Sequence, residues 1–251
     1  MKELQFFDCN CRIGTKNEPL PDAVELLAEM DHYGIDRALV HHNAYSFAAE
    51  ATNRDLAQML EADTEKRLTG VWTLLPDCCG ELGGIEQFFA AMAKHRIKAL
   101  TLDPFSHHYL PRRMVIGRIM DAARERKVPI LLNAFTTMTR WQDMYDFLAE
   151  FPENIYIYAE STGIWGRDRV FRPLLETYSG FYFDTGSYWV PEGIHALVEK
   201  YGSDRILFGS GFPKLTLGGS MLQLKYSKLP AADLQKICSG NLTRILEEVQ
   251  I

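Results

Sequence analysis

No apolar run in this 251-residue chain approaches the roughly 18 residues that a membrane-spanning helix needs. The N-terminal stretch MKELQFFDC holds no long apolar segment of the signal-peptide kind. Excess positive charge is missing, since the formal net charge is -6. Phosphate binding needs clustered Lys and Arg, so no nucleic-acid partner is expected, and no membrane partner either. Cysteine is sparse and odd in number, at five. Cys9 and Cys11 share one strand-like stretch and Cys78 and Cys79 are neighbours, so neither pair suits a structural disulfide. A reduced, cytoplasmic protein is the simplest expectation. Linkers, low-complexity tracts and breaks in composition are absent, so residues 1–251 are expected to form one domain.

What is present is an ordinary globular balance. Hydrophobic residues make up 47% and charged residues 24%, enough for a sizeable core. Short apolar runs recur from end to end: LQFFDC (4–9), DRALVHH (36–42), LTGVWTLL (68–75), IKALTLD (97–103), VPILLNAF (128–135), NIYIYAE (154–160), GFYFDT (180–185) and RILFGS (205–210). Several are nearly continuous, as parallel strands covered on both faces require. Helical patterns separate them. Ala23, Leu26, Leu27 and Met30 form one apolar stripe, as do Leu242, Ile245, Leu246 and Val249. Helices between consecutive strands force parallel crossovers. Eight such units in this length predict a single-domain α/β fold, a (β/α)8 TIM barrel. The stretch 211–228, GFPKLTLGGSMLQLKYSK, reads as an irregular loop over the barrel mouth.

The motifs resemble the amidohydrolase-related branch of the amidohydrolase superfamily, the branch with aminocarboxymuconate-semialdehyde decarboxylase-like barrels. FDCNCRIG stands where that family has Asp-x-His-x-His followed by Gly. TNRDLAQMLEADTEKRLTGVWTLLPD is similar to its Asn-led helix and Arg-x-x-Gly strand, and KALTLDP to its strand-four segment. VPILLNAF, NIYIYAESTG and DRILFGSGFP are similar to its strands five, six and eight, and ICSGNLTRIL to its C-terminal helix. The resemblance implies a divalent metal held by four histidines and an Asp. Carried over position by position, those ligands are Asn10, Arg12, Asn133, Glu160 and Gly211. Arg cannot ligate a cation. The family's metal site is therefore expected to be absent, and no other cofactor is expected.

The mouth of such a barrel lies at the C-terminal strand ends. Strand parity places Asp8, Asn10 and Arg12 on one face, with Cys9 and Cys11 turned toward the helices. Arg12 is expected to meet Glu160 there, either as a pair that plugs the vacated metal position or as working groups. Only one of His41 and His42 can face inward. Tyr188, Trp189, Trp165 and Phe212 are expected either over the mouth or packed on helices. His107, His108 and Ser210 carry weak signals for metal or nucleophile roles.

The expectation is a metal-independent hydrolase or lyase acting on a small anionic, carboxylated molecule such as a lactone or sugar acid. Glu160, His41 and Asp103 are the acid/base candidates. Arg12 is the anion clamp, and Asn10, Asn133, Asp184 and Trp72 would line the substrate. Two alternatives stay open. One is a ligand-binding or scaffold protein without catalysis. The other is a metalloenzyme whose ligands have moved to Asp8, Asp103, Glu160, Asp184 and the histidines. A homo-oligomer is compatible with everything above.

Overall fold

The computed structural model describes residues 4–15, 20–132, 140–159 and 167–251. One parallel sheet runs in strict chain order: β1 (Phe7–Ile13), β2 (Arg37–His42), β3 (Leu68–Thr73), β4 (Ile97–Thr101), β5 (Ile130–Leu132), β6 (Tyr156–Tyr158), β7 (Phe181–Asp184) and β8 (Ile206–Leu207). The last strand returns to the first. The Cys9 N–H donates to the Phe208 carbonyl and the Arg12 N–H to the Phe212 carbonyl, both at 2.9 Å. The result is a single-domain (β/α)8 barrel, and every strand falls within or beside its apolar run. The crossover helices are α1 (Ala23–Tyr33), α2 (Ala49–Met59), α3 (Ile85–Lys94), α4 (Arg113–Glu125), α5 (Trp141–Glu150), α6 (Asp168–Thr177) and α7 (Gly193–Tyr201). After β8 come α8 (Leu217–Lys225), α9 (Ala231–Gln235) and α10 (Asn241–Glu247).

Two apolar layers result from the strand period of two. Phe7, Leu39, Val71, Ala99, Leu131 and Ile157 fill the barrel itself. Their neighbours, among them Ala38, Val40, Leu100 and Phe183, face the helices. Helix α10 closes the N-terminal end of the barrel with Leu242, Ile245 and Leu246. Burying each of these is worth about 1.5–3 kcal/mol. Arg37 and Lys98, near the starts of β2 and β4, hold α10 by bonds to Thr243 Oγ1 (2.6 Å) and the Leu246 carbonyl (2.9 Å). The opposite end is left for chemistry.

Two expectations need correction. The stretch 211–228 is not irregular throughout, because α8 lies inside it. Leu217, Met221 and Leu224 are buried, and Thr216 Oγ1 accepts from the Gly219 N–H at 3.4 Å as an N-cap. Gly218 looks like a helix breaker, but a Cβ there would stand 2.7 Å from the Tyr33 ring. The glycine lets α8 approach α1.

The second correction concerns β1. Asp8 pairs with Ala38, yet Cys11 pairs with Val40, so β1 carries one extra residue. This β-bulge breaks the alternation. Cys9 joins the barrel interior and Cys11 the outer layer. Asp8, Asn10 and Arg12 therefore do not share one face, and Cys9 does not point toward the helices.

Candidate active site

The bulge sets up the site. Beyond it, Cys11 and Ile13 pack outward, which leaves Arg12 between them facing inward, half-buried. On β2, Leu39 lies inside the barrel, so His41 does too. Arg12 and His41 are direct partners in the β1–β2 register. His41 is buried, with its ring 5.3 Å from that of Tyr45 in an edge contact. Neither ring nitrogen has a hydrogen-bond partner among the described residues. Burial holds His41 well below the usual histidine range, and the Arg12 and His42 charges push it further down. It is a neutral imidazole at pH 7.

His42 has a structural task instead. The Ala44 N–H donates to Nδ1 at 3.0 Å, so Nε2 carries the proton and meets Asp55 Oδ2 at 2.9 Å. Gly14 packs against this ring at φ +85, and a Cβ there would lie 2.4 Å from His42 Nε2. The Gly that closes the first motif is thus required twice over.

A second polar group forms across β1 and β7. Asn10 Nδ2 donates to Asp184 Oδ2 at 3.1 Å, and Asp184 Oδ1 accepts from the Gly186 N–H at 2.6 Å. Both side chains are buried. Behind them Asp8 secures the β1–β8 seam. Its Oδ1 accepts from the N–H groups of Asn10 (2.9 Å) and Ser210 (3.0 Å), while its Oδ2 has no partner among the described residues. Burial raises Asp8, and its hydrogen bonds with Ser210 and Asn10 offset only part of this. Cys11 Sγ lies 3.8 Å from Ser210 Oγ. Burial pushes the Cys9 and Cys11 thiols well up, as do the neighbouring carboxylates. Both behave as inert packing groups.

Other candidates lie elsewhere. Asp103 is buried just past β4, where its Oδ1 accepts from the Ser106 N–H at 3.1 Å and shapes its own loop. Burial lowers His107 in that loop, against the pull of Asp103. Trp72 faces away from the mouth. It packs with Phe88 and His95, at ring distances of 5.6 and 6.1 Å. Tyr188 likewise packs on Phe171 and Phe183, and its hydroxyl donates to Asp168 Oδ1 at 2.7 Å. Trp189 is half-exposed. Asn133, Glu160 and Trp165 lie outside the described residues, so the Arg12–Glu160 pairing does too. Reading the sequence did not single out Tyr45, whose ring meets His41 edge-on. Its only signal is an aromatic in the loop directly after β2.

A model of the amidohydrolase family, described as Amidohydrolase, matches residues 18–247. The chain belongs to that family. No curated protein matches this chain in sequence. Its fold is similar to that of an uncharacterised TIM-barrel protein from Bordetella bronchiseptica. The identity is 14%, the TM-score 0.74, and the match covers 98% of this chain and 99% of that one. It is also similar to 5-carboxyvanillate decarboxylase from Sphingomonas paucimobilis (14% identity, TM-score 0.72, 98% and 99% covered). A third likeness is to a putative 2-pyrone-4,6-dicarboxylic acid hydrolase from Pseudomonas putida (14%, 0.71, 98% of each chain). At such identities the likeness establishes the fold.

Of the five ligand positions that the resemblance implies, Asn133 and Glu160 lie outside the described residues, and the other three offer a metal poor donors. Arg12 brings a permanent cation to one ligand position and Gly211 brings no side chain to another. At a third, the Asn10 amide is already engaged with Asp184. Among the described residues, no group of three or more His, Cys, Asp or Glu side chains could hold a metal ion. No helix among them is long and apolar enough to cross a membrane.

Proposed function

We propose that this amidohydrolase-family barrel is a metal-independent hydrolase or lyase acting on a small carboxylated molecule, in the manner of the decarboxylase-like branch. The observation that carries the proposal is the buried, neutral His41 beside Arg12, with no hydrogen-bond partner among the described residues. A guanidinium grips a carboxylate through two parallel N–H bonds. A neutral imidazole accepts a proton. Together they suit hydrolysis of an activated ester such as a lactone bearing a carboxylate. Arg12 would bind the carboxylate, and His41 would take a proton from the attacking water. The bound anion would also offset the cation that depresses His41, so the base strengthens once substrate is in place. General-base help of this kind is worth about 10²–10⁴ in rate. Asn10 and Asp184 would form the polar wall. On sequence grounds Glu160 remains the second acid/base group and Asn133 a lining residue. Asp103 would act through the loop it shapes.

Substrate entry would require side chains around His41 to move, because neither His41 nitrogen reaches solvent. That covered state favours a second reading, a binding protein without turnover. A thermal-shift screen of small carboxylates, sugar acids and lactones tests the first step. A ligand at 100 times its Kd stabilises by about 2.7 kcal/mol. Hits that are then hydrolysed or decarboxylated support the enzyme. Hits without any turnover leave the binder, and a screen without hits removes both.

A further inference from the structure

Cys78 and Cys79 lie in one tight turn, Asp77–Cys79, in the loop that leaves β3 on the mouth side of the barrel. Both thiols are exposed, and their sulfur atoms are 3.9 Å apart. Arg118 Nη1 holds Asp77 Oδ2 at 2.8 Å, which fixes the start of the turn. The other three cysteines, Cys9, Cys11 and Cys238, are buried. Only the adjacent pair is therefore open to chemistry from solvent.

We propose that Cys78 and Cys79 form a reversible redox-modification site, which closes to a vicinal disulfide by exchange with a small-molecule disulfide such as oxidised glutathione. One thiolate attacks the small disulfide, forming a mixed disulfide and releasing one reduced glutathione. The second thiol loses its proton to solvent, and its sulfur attacks the mixed disulfide. The second glutathione leaves as a thiolate and takes up a proton. The protein dithiol has then lost two protons and two electrons, which the oxidised glutathione has gained as two thiols. Both sulfur atoms are exposed and adjacent, so either thiolate can make the first attack and the other closes the ring.

Geometry says what kind of disulfide results. Neighbouring Cα atoms stand about 3.8 Å apart across a trans peptide. Unstrained disulfides span about 4.4 Å or more. The closed ring is therefore strained and easily reduced, which suits a switch and not a staple.

The test incubates the full chain with oxidised glutathione and reads intact mass and peptide maps without reductant. The expected product is a chain two hydrogens lighter, with Cys78 and Cys79 joined and Cys9, Cys11 and Cys238 untouched. Excess reduced glutathione should reopen it. Cys78→Ser and Cys79→Ser should each stop at a single glutathione adduct. Adducts that persist on the wild-type pair, or an absence of reaction at both thiols, would overturn the proposal.

Discussion

Arg12 and His41 stand opposite one another on β1 and β2, and the cation lowers the proton affinity of the ring. This relationship is measurable without knowing a substrate. In Arg12→Met the imidazole should titrate at higher pH than in the wild type, because one of the three causes that depress it is gone. Burial remains, so the value should stay below 6.5, the ordinary position. NMR titration of the His41 ring checks this. An unchanged His41 in Arg12→Met would mean that the two side chains do not interact. The same variant should bind small carboxylates more weakly while keeping its fold.

His41→Gln should cost about 10²–10⁴ in turnover of any substrate found, the range for loss of one general acid or base. Gln keeps hydrogen-bonding atoms but cannot exchange a proton at neutral pH. Stability offers a second readout. A histidine held below its unfolded value binds fewer protons when folded. Wild-type stability should therefore fall as pH drops below about 6.5, and His41→Gln should lose less over that window. Urea titrations at pH 7.5 and 5 compare the two. Glu160→Gln should also abolish turnover if the sequence assignment of Glu160 holds. Full activity in either variant removes that residue from the mechanism.

The barrel was legible because covered parallel strands read as short apolar runs, and eight such runs can hardly be arranged otherwise. The site was legible only in part. Strand alternation predicted one face for Asp8, Asn10 and Arg12, but the extra residue shows only where β1 meets β2. A bulge is a property of a pair of strands, and one strand's pattern does not reveal it. His41 and His42 could not be separated for the same reason, since their phase depends on which β2 residues enter the barrel. Trp72 shows the reverse error. It lies one step from Val71, which fills the barrel, so it faces the helices. Helix α8 was hidden because Gly218, which packs against Tyr33, and Gly219 beside it spoil the helical pattern.

Asp8 should make the protein less stable as pH rises. Its carboxyl is raised above 3.8 by burial, so the folded state holds this proton longer than the unfolded state. Any stability linked to that proton is present below 3.8 and lost as pH climbs through the folded value. Asp8→Asn keeps an acceptor for the Asn10 and Ser210 N–H groups but cannot ionise. Relative to wild type it should gain stability between pH 4 and pH 8. Chemical denaturation at both pH values measures the gain. A difference that does not change with pH would show that Asp8 is not raised.

Gly14→Ala should cost about 1–2 kcal/mol from backbone conformation alone, because an L-residue at positive φ is strained. It should cost more from the clash with His42. Shortening Asp55 to Ala frees the same imidazole without that clash. If the glycine matters only for conformation, the two variants should differ by little more than the backbone term. If the packing matters, Gly14→Ala should be the more damaged by clearly more than that backbone term of about 1–2 kcal/mol. Thermal and urea denaturation decide between them.

The purified protein should hold less than stoichiometric Zn, Mn or Fe. A guanidinium about 4 Å from a unit charge costs about 4 kcal/mol at an effective dielectric of 20, and so about 8 kcal/mol from a divalent ion. Tightly held zinc in small proteins is worth about 10–16 kcal/mol. With Arg12 at the ligand position that the resemblance implies, most of such an affinity would be gone before the missing donor at Gly211 is considered. Chelators should accordingly leave any activity unchanged. Elemental analysis after gentle purification measures the content directly. One tightly bound transition metal per chain, lost together with activity on chelation and restored with it, would sink the metal-independent reading. It would also move the ligand search to the buried acids and histidines, Asp8, His41, Asp103 and Asp184.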